Sequence, residues 1–119
     1  MRVHNFRELI VWRRSTSFAR EVYFLSSTVL RPEQRVVTTQ LRRSALSVPA
    51  NIAEGCGKRS RAESIRFLEI ACGSAAESEH HLLIAAELAI LPEARCTKLA
   101  DEALQIRRML RALIERFPQ

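Results

Sequence analysis

Glu77 and His80 stand three residues apart, the spacing with which helix bundles hold a pair of iron ions from a core-facing helix. A site of that kind needs a second Glu-x-x-His and two further glutamates on other helices. The other histidines are His4 and His81, and the last quarter of the chain has none. No metal and no cofactor is therefore expected, and Glu77/His80 reads as a charged helix face or a subunit contact. Gly55-Cys56-Gly57-Lys58-Arg59-Ser60 has the look of a phosphate loop. A true one carries an earlier glycine, where Ile52 stands, and Ser or Thr directly after the lysine, where Arg59 stands. It also follows a strand, whereas this stretch follows a helical pattern. Serine, cysteine and histidine show no spacing that suggests an activated nucleophile. The expectation is a protein without enzymatic activity.

The basic residues are more informative. Arg42 and Arg43 fall in the second quarter, Lys58, Arg59 and Arg61 lie around a glycine-rich break, and Arg107, Arg108 and Arg111 lie near the end. Arg66 follows the break. Arginine pairs bidentately with phosphate and stacks on bases, which lysine does less well, and the chain has 17 Arg against 2 Lys. Those eight positions are the candidate nucleic-acid contacts. With aromatics at 6%, backbone-directed and salt-sensitive binding is expected rather than base stacking. The competing reading is that the arginines pair with glutamates and solubilise the surface.

A formal net charge of +6 and a pI of about 10.2 fit a polyanionic partner without requiring one. The charge is uneven: residues 1–27 carry +3, 28–62 carry +5, 63–91 carry −4 and 92–119 carry +2. One quarter is acidic in an otherwise basic chain, so pairing between segments is expected.

Four helices must position these residues, over about 5–27, 33–54, 60–91 and 93–117, in one domain spanning 1–119. Asn5 and Glu8 have capping-box spacing, as do Ser60 and Glu63. Phe6, Leu9, Ile10, Ala19, Val22, Tyr23 and Leu25 are the apolar positions of the first helix. Val37, Leu41, Ala45, Val48 and Ile52 follow one face of the second. Pro49 lies inside it and predicts a kink; Asn51 and Glu54 beside it are placed to satisfy the freed carbonyl. Gly55 and Gly57 predict a left-handed stop. Ile65, Leu68, Cys72, Ala75, Glu79, Leu82, Ala86 and Ala89 form a heptad in the third helix, which puts Glu79 on the apolar stripe. A carboxylate there must be paired, an arginine of another helix being the natural partner. Leu99, Ala103, Ile106, Leu110, Leu113 and Phe117 complete the pattern. Short connections between such helices predict an all-α, antiparallel up-down-up-down four-helix bundle.

The longest apolar stretch, Leu82 to Leu91, contains Glu87 and falls short of the ~20 residues that cross a bilayer. No membrane partner is expected. Cys56, Cys72 and Cys96 are odd in number and lack CxxC spacing, which predicts free thiols and a cytoplasmic protein.

Gln40-Leu41-Arg42-Arg43 followed by Ser47-Val48-Pro49-Ala50-Asn51-Ile52-Ala53-Glu54-Gly55 resembles the four-helix-bundle family of proteins encoded in 23S ribosomal RNA intervening sequences. Arg66 to Glu79 looks like that family's second signature, and Phe6-Arg7-Glu8-Leu9-Ile10-Val11-Trp12 like its opening. The likeness runs from about Phe6 to Phe117. It implies a barrel-like homopentamer and no established catalytic residues. The chain is also similar to the accessory protein of diversity-generating retroelements, a basic pentamer that associates with nucleic acid and a reverse transcriptase. By that analogy alone, a reverse transcriptase is a conceivable partner. One departure is visible: Ala89-Ile90-Leu91 stands where relatives often carry a glycine and an aromatic. In such an assembly Trp12, Phe18 and Phe24, which fall off the first helix's stripe, are expected at subunit contacts or in a secondary cluster.

Two functions follow as expectations. The first is an oligomeric bundle that binds nucleic acid, RNA rather than DNA, through its arginines. The second is a self-assembling scaffold with no nucleic-acid partner, its arginines spent against the acidic third helix.

Overall fold

The computed structural model describes residues 5–117; the expected domain limits at 1–4 and 118–119 lie outside that range. Four helices are present: α1 (Ile10–Ser26), α2 (Pro32–Cys56), α3 (Arg61–Glu87) and α4 (Glu93–Glu115). No strand occurs among the described residues. The rod measures 47 × 21 × 20 Å. Sequential helices pack side by side, α1 also meets α4, and α2 and α4 occupy diagonal corners, their backbones not in close approach. The expected up-down-up-down bundle is the observed one.

The first helix begins later than its sequence suggests. Phe6–Glu8 form a 3-10 turn capped by Asn5, whose side-chain oxygen accepts from Arg7 N at 3.1 Å. Leu9 is then extended (φ −74°, ψ 128°) and α1 starts at Ile10. An edge-to-face contact between Phe6 and Trp12, centroids 5.0 Å apart, folds the turn against the helix. Arg13 Nε donates to the exposed Arg7 carbonyl at 2.9 Å. This break rephases the helix: Val11, Ser15, Phe18, Val22 and Leu25 face inward, whereas Ile10 and Tyr23 are exposed. Phe18 is thus a main-core residue, 1% exposed, and lies neither at a subunit contact nor in a secondary cluster as expected of it. Trp12 is half-buried and packs with Phe6 against that same core, and Phe24 is exposed.

Pro32 opens α2 at the first turn, where its missing N–H costs nothing. The helix runs through Pro49 without interruption. Asn51 Nδ2 donates to Ser47 O and Ser47 Oγ, 2.8 Å each, supplying polar contacts one turn around the proline. Neither glycine at the end is left-handed. Gly57 is right-handed (φ −89°), and Gly55 lies within the helix because α3 passes there. A Cβ on Gly55 would sit 3.0 Å from Ser64 O and 3.3 Å from Phe67 Cβ.

Ser60 caps α3, accepting from Glu63 N at 3.1 Å. The helix ends four residues before Leu91, because Ala89 adopts φ 54°. Ile90 N donates to Ala85 O (2.8 Å) and Ala89 N to Ala86 O (3.0 Å), the paired bonds of a Schellman ending. The inward seam of α3 reads Ser64, Leu68, Ala71, Ala75, Ser78, Leu82 and Ala85. Buried serines, Ser78 among them, and not Glu79 are therefore the polar residues of the seam. Small residues let α2 and α3 approach closely, and their hydroxyls pair: Ser78 Oγ with Ser44 Oγ at 2.9 Å, Ser47 Oγ with Ser74 Oγ at 2.8 Å. Burial without such partners would cost about 1–3 kcal/mol per group.

Candidate nucleic-acid interface

The arginine candidates are positioned by helices whose other faces are fixed by the core. Leu41, Ala45, Val48 and Ile52 are fully buried, which turns Arg43 outward from α2. Arg42 lies between those directions and is committed to α1. Its Nη2 donates to Tyr23 O (3.0 Å) and Ser27 Oγ (2.9 Å), its Nε donates to Ser26 Oγ, and its guanidinium lies 4.5 Å from the Tyr23 ring centroid. A cation at a helix C-terminus also offsets the negative end of the dipole. Arg42 is a cap of α1 first.

At the α2–α3 turn, Lys58 Nζ lies 3.1 Å from Glu54 Oε2 and 4.9 Å from the Phe67 ring centroid. Arg61 Nε donates to Phe117 O at 3.3 Å, which joins the start of α3 to the end of α4. Arg59 has no side-chain partner among the described residues and is exposed. On α4, Arg107 pairs with Glu79 at 3.3 Å and Arg111 with Glu69 at 3.8 Å, while Arg108 is exposed and unpartnered among the described residues. Glu79 is half-buried at the edge of the seam rather than inside it, held by an arginine of another helix.

The eight residues therefore do not share one face. Arg42 and Arg43 belong to α2, and Arg107, Arg108 and Arg111 to the diagonal helix α4, with the acidic α3 between them. Lys58, Arg59 and Arg61 sit at the end where α2 turns into α3. The exposed pairs are weak, about 0–1 kcal/mol each, so Lys58 and Arg111 are tethered lightly. Arg42 is held by three hydrogen bonds.

Arg14 and Glu102 were not singled out by the sequence. Arg14 grips both oxygens of Glu102 across α1 and α4, Nε to Oε2 at 2.9 Å, and the hydrogen bond pushes the guanidinium pKa up further. Eighty-eight residues separate the two, so no local spacing could reveal them. The residues that suggested acid–base or metal chemistry have structural neighbours. Glu77 Oε2 lies 3.1 Å from His81 Nε2, and the His80 and His81 rings are 5.5 Å apart. Among the described residues no three His, Cys, Asp or Glu side chains converge as a metal site would require. Cys56, Cys72 and Cys96 are buried free thiols, each raised above its ordinary pKa by burial. Among the described residues no helix is long and apolar enough to cross a membrane.

The chain matches none of the curated proteins significantly. A crystal structure of a protein of unknown function from the S23 ribosomal protein family of Bacteroides thetaiotaomicron superposes with a TM-score of 0.82 and 26% identity. The match covers 88% of this chain and 98% of that one. Neither this structure nor the family match supports the finer likeness to the retroelement accessory protein. Residues 7–112 match the model of the 23S rRNA-intervening sequence protein, the resemblance carried by the α2 and α3 motifs, and the chain belongs to that family.

Proposed function

We propose that this chain is a non-catalytic helix bundle that assembles with copies of itself. Gly73 carries the reading. It lies in the middle of α3 on an exposed face, where a Cβ would meet nothing within 4 Å. Glycine inside a helix costs about 1 kcal/mol relative to alanine, and nothing within one copy calls for it there. A helix of a second copy crossing close to α3 would. The outer stripe around it carries Arg66, Ile70 and Glu77, and the outer stripe of α2 carries Val36, Arg43 and Leu46. Both stripes expose apolar side chains, and Glu77 of one copy is matched in charge to Arg43 of the next, so the α3 face of one copy suits the α2 face of the next. Contacts between two different faces propagate head to tail and close into a ring when the rotation allows; the homopentamer implied by the resemblance is such a ring.

The molar mass by light scattering across a dilution series tests this. A multiple of 13.6 kDa is expected for the parent chain, and a monomer of undiminished helicity for Leu46→Glu. A parent chain that stays monomeric at tens of micromolar would overturn the proposal.

A second reading adds RNA to the assembly, on the ground that Arg43, Arg59 and Arg108 remain exposed and unpartnered among the described residues. Such contacts are made to phosphate and weaken steeply with salt. Labelled mixed-sequence RNA should bind with a negative log–log salt slope, shallower by about one per phosphate-contacting arginine removed per copy. Retention of the full slope in Arg43→Glu/Arg108→Glu would exclude those residues.

A further inference from the structure

A polar concavity lies away from the exposed arginines just described. It is a cleft of about 340 Å³ between the last turn of α1 and the first three turns of α2. Tyr23 and Ser27 form one side; Arg35, Thr39 and Arg42 stand along the other, at helical steps of four and three. The cleft is near the lower end of the range that holds small ligands, about 300–1,000 Å³. No carboxylate lines it, and two guanidinium groups do.

Each side chain has a distinct state. Arg42 is clamped by three hydrogen bonds made from Nε and Nη2 and lies on the Tyr23 ring. Its Nη1 makes no hydrogen bond among the described residues, so a fixed, charged donor is held at the cleft without further ordering cost. Arg35 and Thr39 are exposed and their side chains have no partner among the described residues. Arg42 is offset by the carbonyl end of α1, whereas Arg35 has no opposite charge to offset it. It stands in the opening of α2, where the helix dipole is positive.

We propose that this cleft is a binding site for a phosphate group, with Arg35 and the free end of Arg42 as a two-guanidinium clamp and the Thr39 hydroxyl as a further donor. Two arginines and a hydroxyl match the several acceptor oxygens of a phosphate, and arginine does so bidentately. The group could come from a free phosphate compound or from a nucleic-acid strand, since both present the same oxygens. The site uses none of the exposed arginines of α4, and its Thr39 borders the α2 stripe assigned above to the neighbouring copy.

The test is a titration of the intact protein with inorganic phosphate, followed through amide and arginine Nε signals, with chloride at equal ionic strength as control. Phosphate is expected to move the signals of Ser27, Arg35, Thr39 and Arg42 and leave Arg108 unmoved. Arg35→Ala should weaken binding at least fivefold and Thr39→Glu, which places a carboxylate in the cleft, should abolish it. Both positions are exposed, so each variant is expected to keep its helices, which circular dichroism checks. A mixed-sequence RNA hexanucleotide distinguishes the source. Shifts of the same signals at lower concentration than phosphate identify a strand; shifts with phosphate alone identify a free phosphate compound. Perturbations scattered over all arginines, or equal affinity in the parent and both variants, would overturn the proposal. Loss of RNA binding in Arg43→Glu/Arg108→Glu with phosphate binding intact would separate this site from the surface reading above.

Discussion

Gly55 and Gly73 are both helical, and their surroundings assign them opposite roles. At Gly55 the backbone of α3 is the neighbour, with Ser64 O 3.0 Å from an added Cβ. A carbonyl locked in a helix cannot yield as a flexible side-chain tip can. Gly55→Ala is therefore expected to destabilise the chain by about 1–3 kcal/mol through overpacking, partly offset by the better helix propensity of alanine. Gly73→Ala has no neighbour to displace and should stabilise the isolated chain by up to about 1 kcal/mol, while weakening the assembly. Urea unfolding of dilute protein measures both. An equal response at the two sites would contradict the close approach at one and the open space at the other.

Among the elements, α1 packs least extensively, and α3 is gripped by both α2 and α4. The Arg14–Glu102 pair spans α1 and α4, with Arg14 Nη1 also 3.5 Å from Met109 Sδ. Both side chains are partly exposed, 40% and 29%, so the pair contributes about 0.2–1 kcal/mol after solvent screening. Its removal should show locally. In Glu102→Gln, amide hydrogen exchange is expected to speed up in α1 several-fold and to leave α3 unchanged; equal acceleration in α3 would mean that the pair stabilises the whole bundle. What the sequence revealed follows the same division. Periodicity located the buried stripes of α2 and α4 because Leu41 to Ile52 and Leu99 to Leu113 are apolar and regularly spaced. In α1 it found Ala19, Val22 and Leu25 but counted the exposed Ile10 and Tyr23 with them, since the break at Leu9 depends on Phe6 meeting Trp12 and Ser15 fills a core position. It misplaced Glu79 because Ser78 is the inward residue, and a serine reads as polar until its partner Ser44 is known. The left-handed Ala89 and the Arg42 cap were hidden for a related reason: an alanine at φ 54° and a contact sixteen residues away carry no local signature.

At the scale of the molecule, alternating charge along the chain becomes alternating charge around the bundle, an acidic α3 between basic diagonal helices. Arginine supplies nearly all the positive charge and stays protonated above pH 12, so this arrangement survives strongly alkaline conditions. In the alkaline range the fold acts on its three thiols. Cys56, Cys72 and Cys96 ionise later in the fold than in the unfolded chain because burial penalises thiolate. Above the ordinary thiol pKa, about 8.5, the unfolded chain has released protons that the native chain retains, so stability is complete below that pH and declines as pH rises. The urea midpoint should be flat from pH 7 to 8 and fall from about pH 9 upward. Cys96→Ala should lower stability at every pH yet make the decline shallower, since one fewer thiol distinguishes the two states. An unchanged slope in that variant would rule out the buried Cys96 thiol as a source of the alkaline loss.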